Sequence, residues 1–258
     1  MKTKSLFLLF LLVALIGCQK EDDDSDNPLT AGYTTINGHI LTSDNTPLKG
    51  VKLQVKYIKS RYLAGGHSWL KKEVTTSENG SYGMSFNIKD DEVESYDGLS
   101  NSFFSLTFDF SNLNPDKYFL LYYSVDNDYL LSINPSLKQD ATYTISCYIP
   151  AKDYITVHLN NFKPVLATDH FEVQTFFPWG INSGENVGSA FIDTEYGINS
   201  SGYDNFVAKS ENQTFRVPVA RNETNVVRIV KMKNGVAYPE DHKLFVPKDN
   251  SIELSFEY

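Results

Sequence analysis

The 258 residues carry 23 lysines and arginines against 32 aspartates and glutamates, a net charge of -9. That balance argues against nucleic acid and anionic lipid as partners for the chain as a whole, because each would be repelled. Two cysteines, Cys18 and Cys147, allow at most one disulfide, so stability has to come from burial.

At the start of the chain, Lys2 and Lys4 precede an apolar run from Leu6 to Ile16 that closes on Leu15-Ile16-Gly17-Cys18. The run is too short for an ordinary membrane-spanning helix, and its basic end, apolar middle and small residue before a cysteine resemble a bacterial lipoprotein signal. The resemblance implies removal of residues 1–17 and acylation of Cys18, which leaves Cys147 as the one thiol and holds the mature chain to a membrane. Residues 18–31 follow with Glu21, Asp22, Asp23, Asp24 and Asp26, like charges that repel one another and read as a solvated tether. In one group of Gram-negative bacteria, such a cluster after the lipidated cysteine is similar to the signal for the outer face of the outer membrane. It implies display at the cell exterior; the periplasmic face is the alternative.

From Tyr33 onward, apolar and polar residues alternate with the period of half-buried strands. The alternation places Val51, Leu53, Val55 and Tyr57 on one face, then Tyr82, Met84, Phe86 and Ile88, then Phe104, Leu106, Phe108 and Phe110, then Tyr143, Ile145, Cys147 and Ile149. Cys147 therefore reads as an inert core residue. The continuous run from Tyr118 to Val125 predicts a central strand covered on both faces. Turn formers separate these segments at 44–47, 78–80, 112–115, 126–128 and 134–135, and no stretch after the signal holds a helical period with caps. The rhythm predicts an all-β fold of two tandem β-sandwiches, residues 32–150 and 151–258, after the signal and tether. The second set runs through Ile155–Leu159, Phe171–Phe177, Thr214–Val219, Asn225–Met232, His242–Val246 and Ser251–Tyr258.

Within 32–150, Ile36-Asn37-Gly38-His39-Ile40, Thr46-Pro47-Leu48-Lys49-Gly50-Val51-Lys52-Leu53 and Thr75-Thr76-Ser77-Glu78-Asn79-Gly80-Ser81-Tyr82 resemble the carboxypeptidase regulatory-like domain, a transthyretin-type sandwich. Pro47 and Gly50 would turn a first hairpin, and Asn79-Gly80 a second before the core aromatic Tyr82. Ser77 stands where the family usually has Asp. The resemblance implies a fold and an accessory role, and no activity.

Catalytic signatures are missing from the sequence. His39, His67, His158, His170 and His242 are widely spaced with no zinc-binding spacing, and there is no nucleophile elbow, phosphate loop or dinucleotide fingerprint. No catalytic residue, metal or cofactor is assigned. The acidic stretch Lys89–Gly98 gathers carboxylates suited to a hard cation, but lacks the order of a calcium loop and reads as a solvated connection. Phe177 and Trp179, followed by a Gly-, Asn- and Ser-rich segment with Tyr196 and Tyr203, form the better candidate: aromatic faces that stack on sugar rings, against the alternative that Trp179 caps the end of the sandwich. Trp69, with Arg61 and His67, reads as a strand start.

Three functions are open at this point. The first is a membrane-anchored, non-catalytic binding or accessory module for a glycan or another surface protein. The second is a pilus subunit resembling fimbrillins, which are lipoproteins of two transthyretin-like sandwiches assembled by strand donation after cleavage at an N-terminal arginine; here no arginine precedes Arg61. The third, a hydrolase, would need a convergent site.

Overall fold

The computed structural model describes residues 33–42, 44–61, 65–92, 94–96, 98, 100–120, 129–182, 198–199, 206–249 and 251–258. The protein is all-β. Its first strands are β1 (Tyr33–Leu41), β2 (Lys52–Arg61), β3 (Gly65–Thr75), β4 (Ser81–Asn87), β5 (Ser95–Tyr96), β6 (Ser100–Asp109), β7 (Leu130–Ile133), β8 (Thr142–Thr144) and β9 (Ser146–Tyr148). They continue as β10 (Lys152–Asn160), β11 (His170–Phe177), β12 (Gly180–Asn182), β13 (Ile198–Asn199), β14 (Gln213–Ala220), β15 (Glu223–Lys233), β16 (Val236–Val246) and β17 (Glu253–Glu257).

Four sheets form: β12-β9-β1-β4 with β8 also on β1, β3-β2-β6-β5 with β7 also on β6, β14-β10-β17, and β13-β11-β15-β16. The first two enclose one apolar core, the last two another, and Gly32–Tyr258 is a single compact unit. The buried faces are those that the alternation selects: Leu53, Val55 and Tyr57, then Tyr82, Met84, Phe86 and Ile88, then Phe104, Leu106, Phe108 and Phe110. A strand with one covered face repeats every two residues, which is why these faces are readable.

The turns at 47–50 and 76–80 are not hairpins. β1 and β4 belong to one sheet and β2 and β3 to the other, so both turns carry the chain between sheets. They lie side by side, tied by Gly50 N–H to the Thr76 carbonyl and Thr76 N–H to the Val51 carbonyl. The buried Thr76 hydroxyl donates to the Leu48 carbonyl at 2.7 Å and accepts from Val51 N–H at 3.0 Å. Gly80, at φ +71°, has the Ile40 carbonyl where a Cβ would stand. Ser77 fills its turn position through its hydroxyl, which meets Asn79 Oδ1 at 2.5 Å and the Ser81 carbonyl at 3.0 Å.

Gly38 and Tyr82, both from the motif, act together. β1 runs parallel to β8 and then to β9, and Ile145 sits at the change of partner. Its carbonyl oxygen lies 1.9 Å from where a Cβ of Gly38 would be, and it accepts the Tyr82 hydroxyl at 2.6 Å. Burial raises the Tyr82 hydroxyl above the usual tyrosine range and pushes the Cys147 thiol up likewise, so that Cys147 is an unreactive core residue.

Residues Tyr118–Leu120 do not form the expected central strand; Tyr118 makes one isolated bridge to Ala151, and 121–125 lies outside the described residues. The backbone here has other commitments: Phe119 N–H donates to the Pro150 carbonyl and the Phe119 carbonyl accepts the Trp179 indole.

At the other core, β15 and β16 are joined by Asn234-Gly235 with φ of 52° and 77°, a two-residue turn whose twist suits antiparallel strands. Lys233–Val236 is then a hydrogen-bonded pair, and alternation puts Pro239, opposite Val230, where an N–H would point away from β15. The edge strand thus loses an outward donor at no cost to its own ladder, which blunts it against unwanted pairing.

Candidate functional site

The aromatic residues singled out in the sequence go to the core. Phe177 is 1% exposed and Trp179 5%, so neither offers a face to a sugar, and both are corrected from ligand contacts to core residues. Tyr196 and Tyr203 lie outside the described residues, as does Cys18. After Phe177 the chain leaves β11; Gly180, at φ +102°, turns it into β12, which pairs with β9 of the first core: Gly180 opposite Tyr148, Ile181 opposite Cys147, Asn182 opposite Ser146. It returns at β13, where Ile198 pairs with Phe177. The second half therefore lends Phe177, Trp179 and Ile181 to the first core. Phe177 packs on Phe119 at 4.4 Å between ring centroids, and Trp179 Nε1 donates to the Phe119 carbonyl at 2.7 Å. Aromatic residues serve a platform or a core equally well, and the sequence alone did not separate the two.

The acidic stretch is spent on structure. Glu92 accepts both Lys71 Nζ, at 2.7 and 2.9 Å, and Lys89 N–H; Asp90 accepts Gln139; Glu94 accepts Ser136. Among the described residues no group of three or more His, Cys, Asp or Glu is placed to hold a metal ion.

Two surfaces remain. The first is the end of the sandwich where the chain enters. Ring contacts Tyr82–Phe108 and Phe86–Phe104, each at 6.4 Å, align the two sheets, so Tyr33, paired with Asn87, lies at the end where β2 finishes at Arg61 and β3 begins at Gly65. There Trp69, well inside β3 rather than at its start, is 48% exposed. It stands 5.9 Å from both His67 and Tyr57.

The second surface is the tip formed by residues 161–169 and the 234–235 turn. One carboxylate, Asp169, organises it: Oδ2 accepts Val165 N–H at 2.8 Å and Leu166 N–H at 2.9 Å, and Oδ1 accepts Asn234 N–H at 2.7 Å. These bonds, Leu166 foremost, hold its pKa below the usual carboxylate range. The carboxylate fixes two loops so that Val165, 80% exposed, Leu166 and Val236 all face solvent, with Tyr238 next along β16. Strand directions place this tip away from the junction of the halves, where Asn222 donates to Asp44 at 3.1 Å and Arg221 N–H to the Ala151 carbonyl. A run of isolated valines and leucines carries no pattern for such a tip; the signal available was Asp169 close after an apolar pair.

No family model and no curated protein match this chain. Among solved structures it is similar to a 9R-lipoxygenase from Cyanothece PCC8801, at 14% identity over 47% of this chain and 17% of that one, with a TM-score of 0.28. It is similar to a streptococcal ancillary pilin at 13% identity, over 86% of this chain and 61% of that one, TM-score 0.26. A third, the tip fimbrial protein Mfa3 from Porphyromonas gingivalis with C-terminal truncation, matches at 11% identity over 81% and 80%, TM-score 0.22. The chain thus spans less than two thirds of the first two, and overlaps this loose assign neither fold nor function.

Proposed function

We propose that the chain is a membrane-anchored, non-catalytic accessory module, held through Cys18 and displayed at the cell exterior, that binds a protein partner at the Val165–Leu166–Val236 tip. The observation that carries this reading is the Asp169 carboxylate, which arranges two loops so as to leave aliphatic side chains in water. Exposing them costs free energy unless something covers them, and contiguous exposed apolar residues on a soluble domain mark interaction sites. Burial of Phe177 and Trp179 moves the reading from glycan to protein. The lipoprotein-like signal and the resemblance of 32–150 to a regulatory-like accessory domain support the anchoring and the role.

A photo-crosslinker at Val165 in intact cells tests it. The expected result is a discrete crosslinked partner that is lost when Leu166→Asp and Val236→Asp are added, with the melting temperature unchanged because both side chains are already exposed. No crosslink, or one that survives both substitutions, would contradict the reading. The second reading, a pilus subunit, draws on the edge strand β16 with Tyr238 and Phe245 exposed; a crosslink to another copy of this chain would favour it.

A further inference from the structure

Resting on the anchored reading, we infer that the overhang of β2 and β3 at the chain-entry end docks on the anionic leaflet that holds the lipid anchor. Beyond Tyr57 and Phe104, where the sheets cease to face each other, β2 and β3 continue to Arg61 and Gly65. Strand alternation sets Lys59 and Arg61 on the same face as Tyr57, and the pairings of Lys59 with His67 and Tyr57 with Trp69 put His67 and Trp69 there too. The opposite face of the same overhang presents Leu70 and, through β5 against β6, Tyr96, both exposed.

The charge of this end is the reverse of the whole. Between Lys56 and Lys72 the sequence holds Lys56, Lys59, Arg61, Lys71 and Lys72 and no carboxylate, in a chain of net charge -9. Glu92, the nearest acid, is already paired with Lys71, and Asp90 and Glu94 are hydrogen-bonded to Gln139 and Ser136. Tryptophan and tyrosine settle at the headgroup level, where an apolar body and a polar edge are both satisfied. Lysine and arginine lay their stems along apolar surface and place their charge among phosphates. The rings are set in advance, since Tyr57 and His67 flank Trp69.

The length and exit point of the preceding chain favour a membrane as occupant. Fifteen residues from Cys18 to Tyr33 span at most about 50 Å, and β1 begins at the same end as the overhang. Lipidation therefore keeps this end near the leaflet, and a contact too weak for free protein becomes an intramolecular one.

The test uses the lipidated full chain with Trp179→Phe, reconstituted in phosphatidylethanolamine–phosphatidylglycerol vesicles containing lipids brominated on the acyl chains. Trp69 emission should fall at least twofold, and the fall should shrink at least twofold in Lys59→Glu with Arg61→Glu, or when phosphatidylcholine replaces phosphatidylglycerol. Should Trp179→Phe fold poorly, the difference between wild type and Trp69→Phe gives the same readout. Vesicle-bound protein with unquenched Trp69 would overturn the docking and leave the anchor standing. Wild-type protein that does not float with vesicles would overturn the anchor itself.

Discussion

Trp179→Ala should cost about 3–5 kcal/mol of folding stability, the range for deleting a large buried aromatic side chain. The mechanism has two parts. Removing the indole opens a cavity between Phe119, Phe177 and Ile181, and it orphans the Phe119 carbonyl that Nε1 now satisfies at 2.7 Å. Because β12 is three residues long, Trp179 and Ile181 are its chief purchase on the first core, so the loss should extend to the pairing of β12 with β9. Urea denaturation checks this by the midpoint, with the slope reporting whether the halves still unfold together. Trp69→Ala is the comparison: its ring is half exposed and should cost about 1 kcal/mol, mostly the stacking on Tyr57. Equal losses at the two tryptophans would show that Trp179 is not the plug described here.

The second large effect is at Gly38. Gly38→Ala should cost about 3 kcal/mol or more, because a Cβ would stand 1.9 Å from the Ile145 carbonyl oxygen, so two backbones must separate, which exceeds ordinary overpacking. Separation also breaks the bond from the Tyr82 hydroxyl to that oxygen, leaving buried polar atoms unpaired. Gly83 distinguishes this from a general glycine effect. It lies on β4, faces solvent and has nothing within 4 Å of its Cβ position, so Gly83→Ala should stay within about 0.5 kcal/mol. Thermal and urea unfolding of the pair decide it, and a tolerated Gly38→Ala would contradict the close approach of β1 to Ile145.

These two residues also mark what a sequence can and cannot disclose. The strands and their buried faces were legible wherever one face met a core, because a period of two leaves a clear trace in Val51–Tyr57, Tyr82–Ile88 or Ile155–Leu159. The sheet each strand joins was not. The turn at Pro47-Gly50 has hairpin chemistry, yet it crosses between sheets, since the side-by-side contact with Thr76 is made by residues remote in sequence. β12 is invisible for another reason: Gly180-Ile181-Asn182 is too short to show a period, and its partner β9 belongs to the other core. Trp179 and Trp69 look alike as sequence features, and only packing sends the first inward and leaves the second half in water. The basic run from Lys56 to Lys72 was readable, but the net charge of the whole chain conceals it unless the charges are taken segment by segment.

The most direct test of the account as a whole is protease shaving of intact cells, with cells whose outer membrane has been opened and a Cys18→Ala strain alongside. The account predicts that the wild-type protein disappears from intact cells while periplasmic markers survive, and that the Cys18→Ala protein is no longer found at the surface. Protection of the wild-type protein until the membrane is opened would contradict display at the cell exterior.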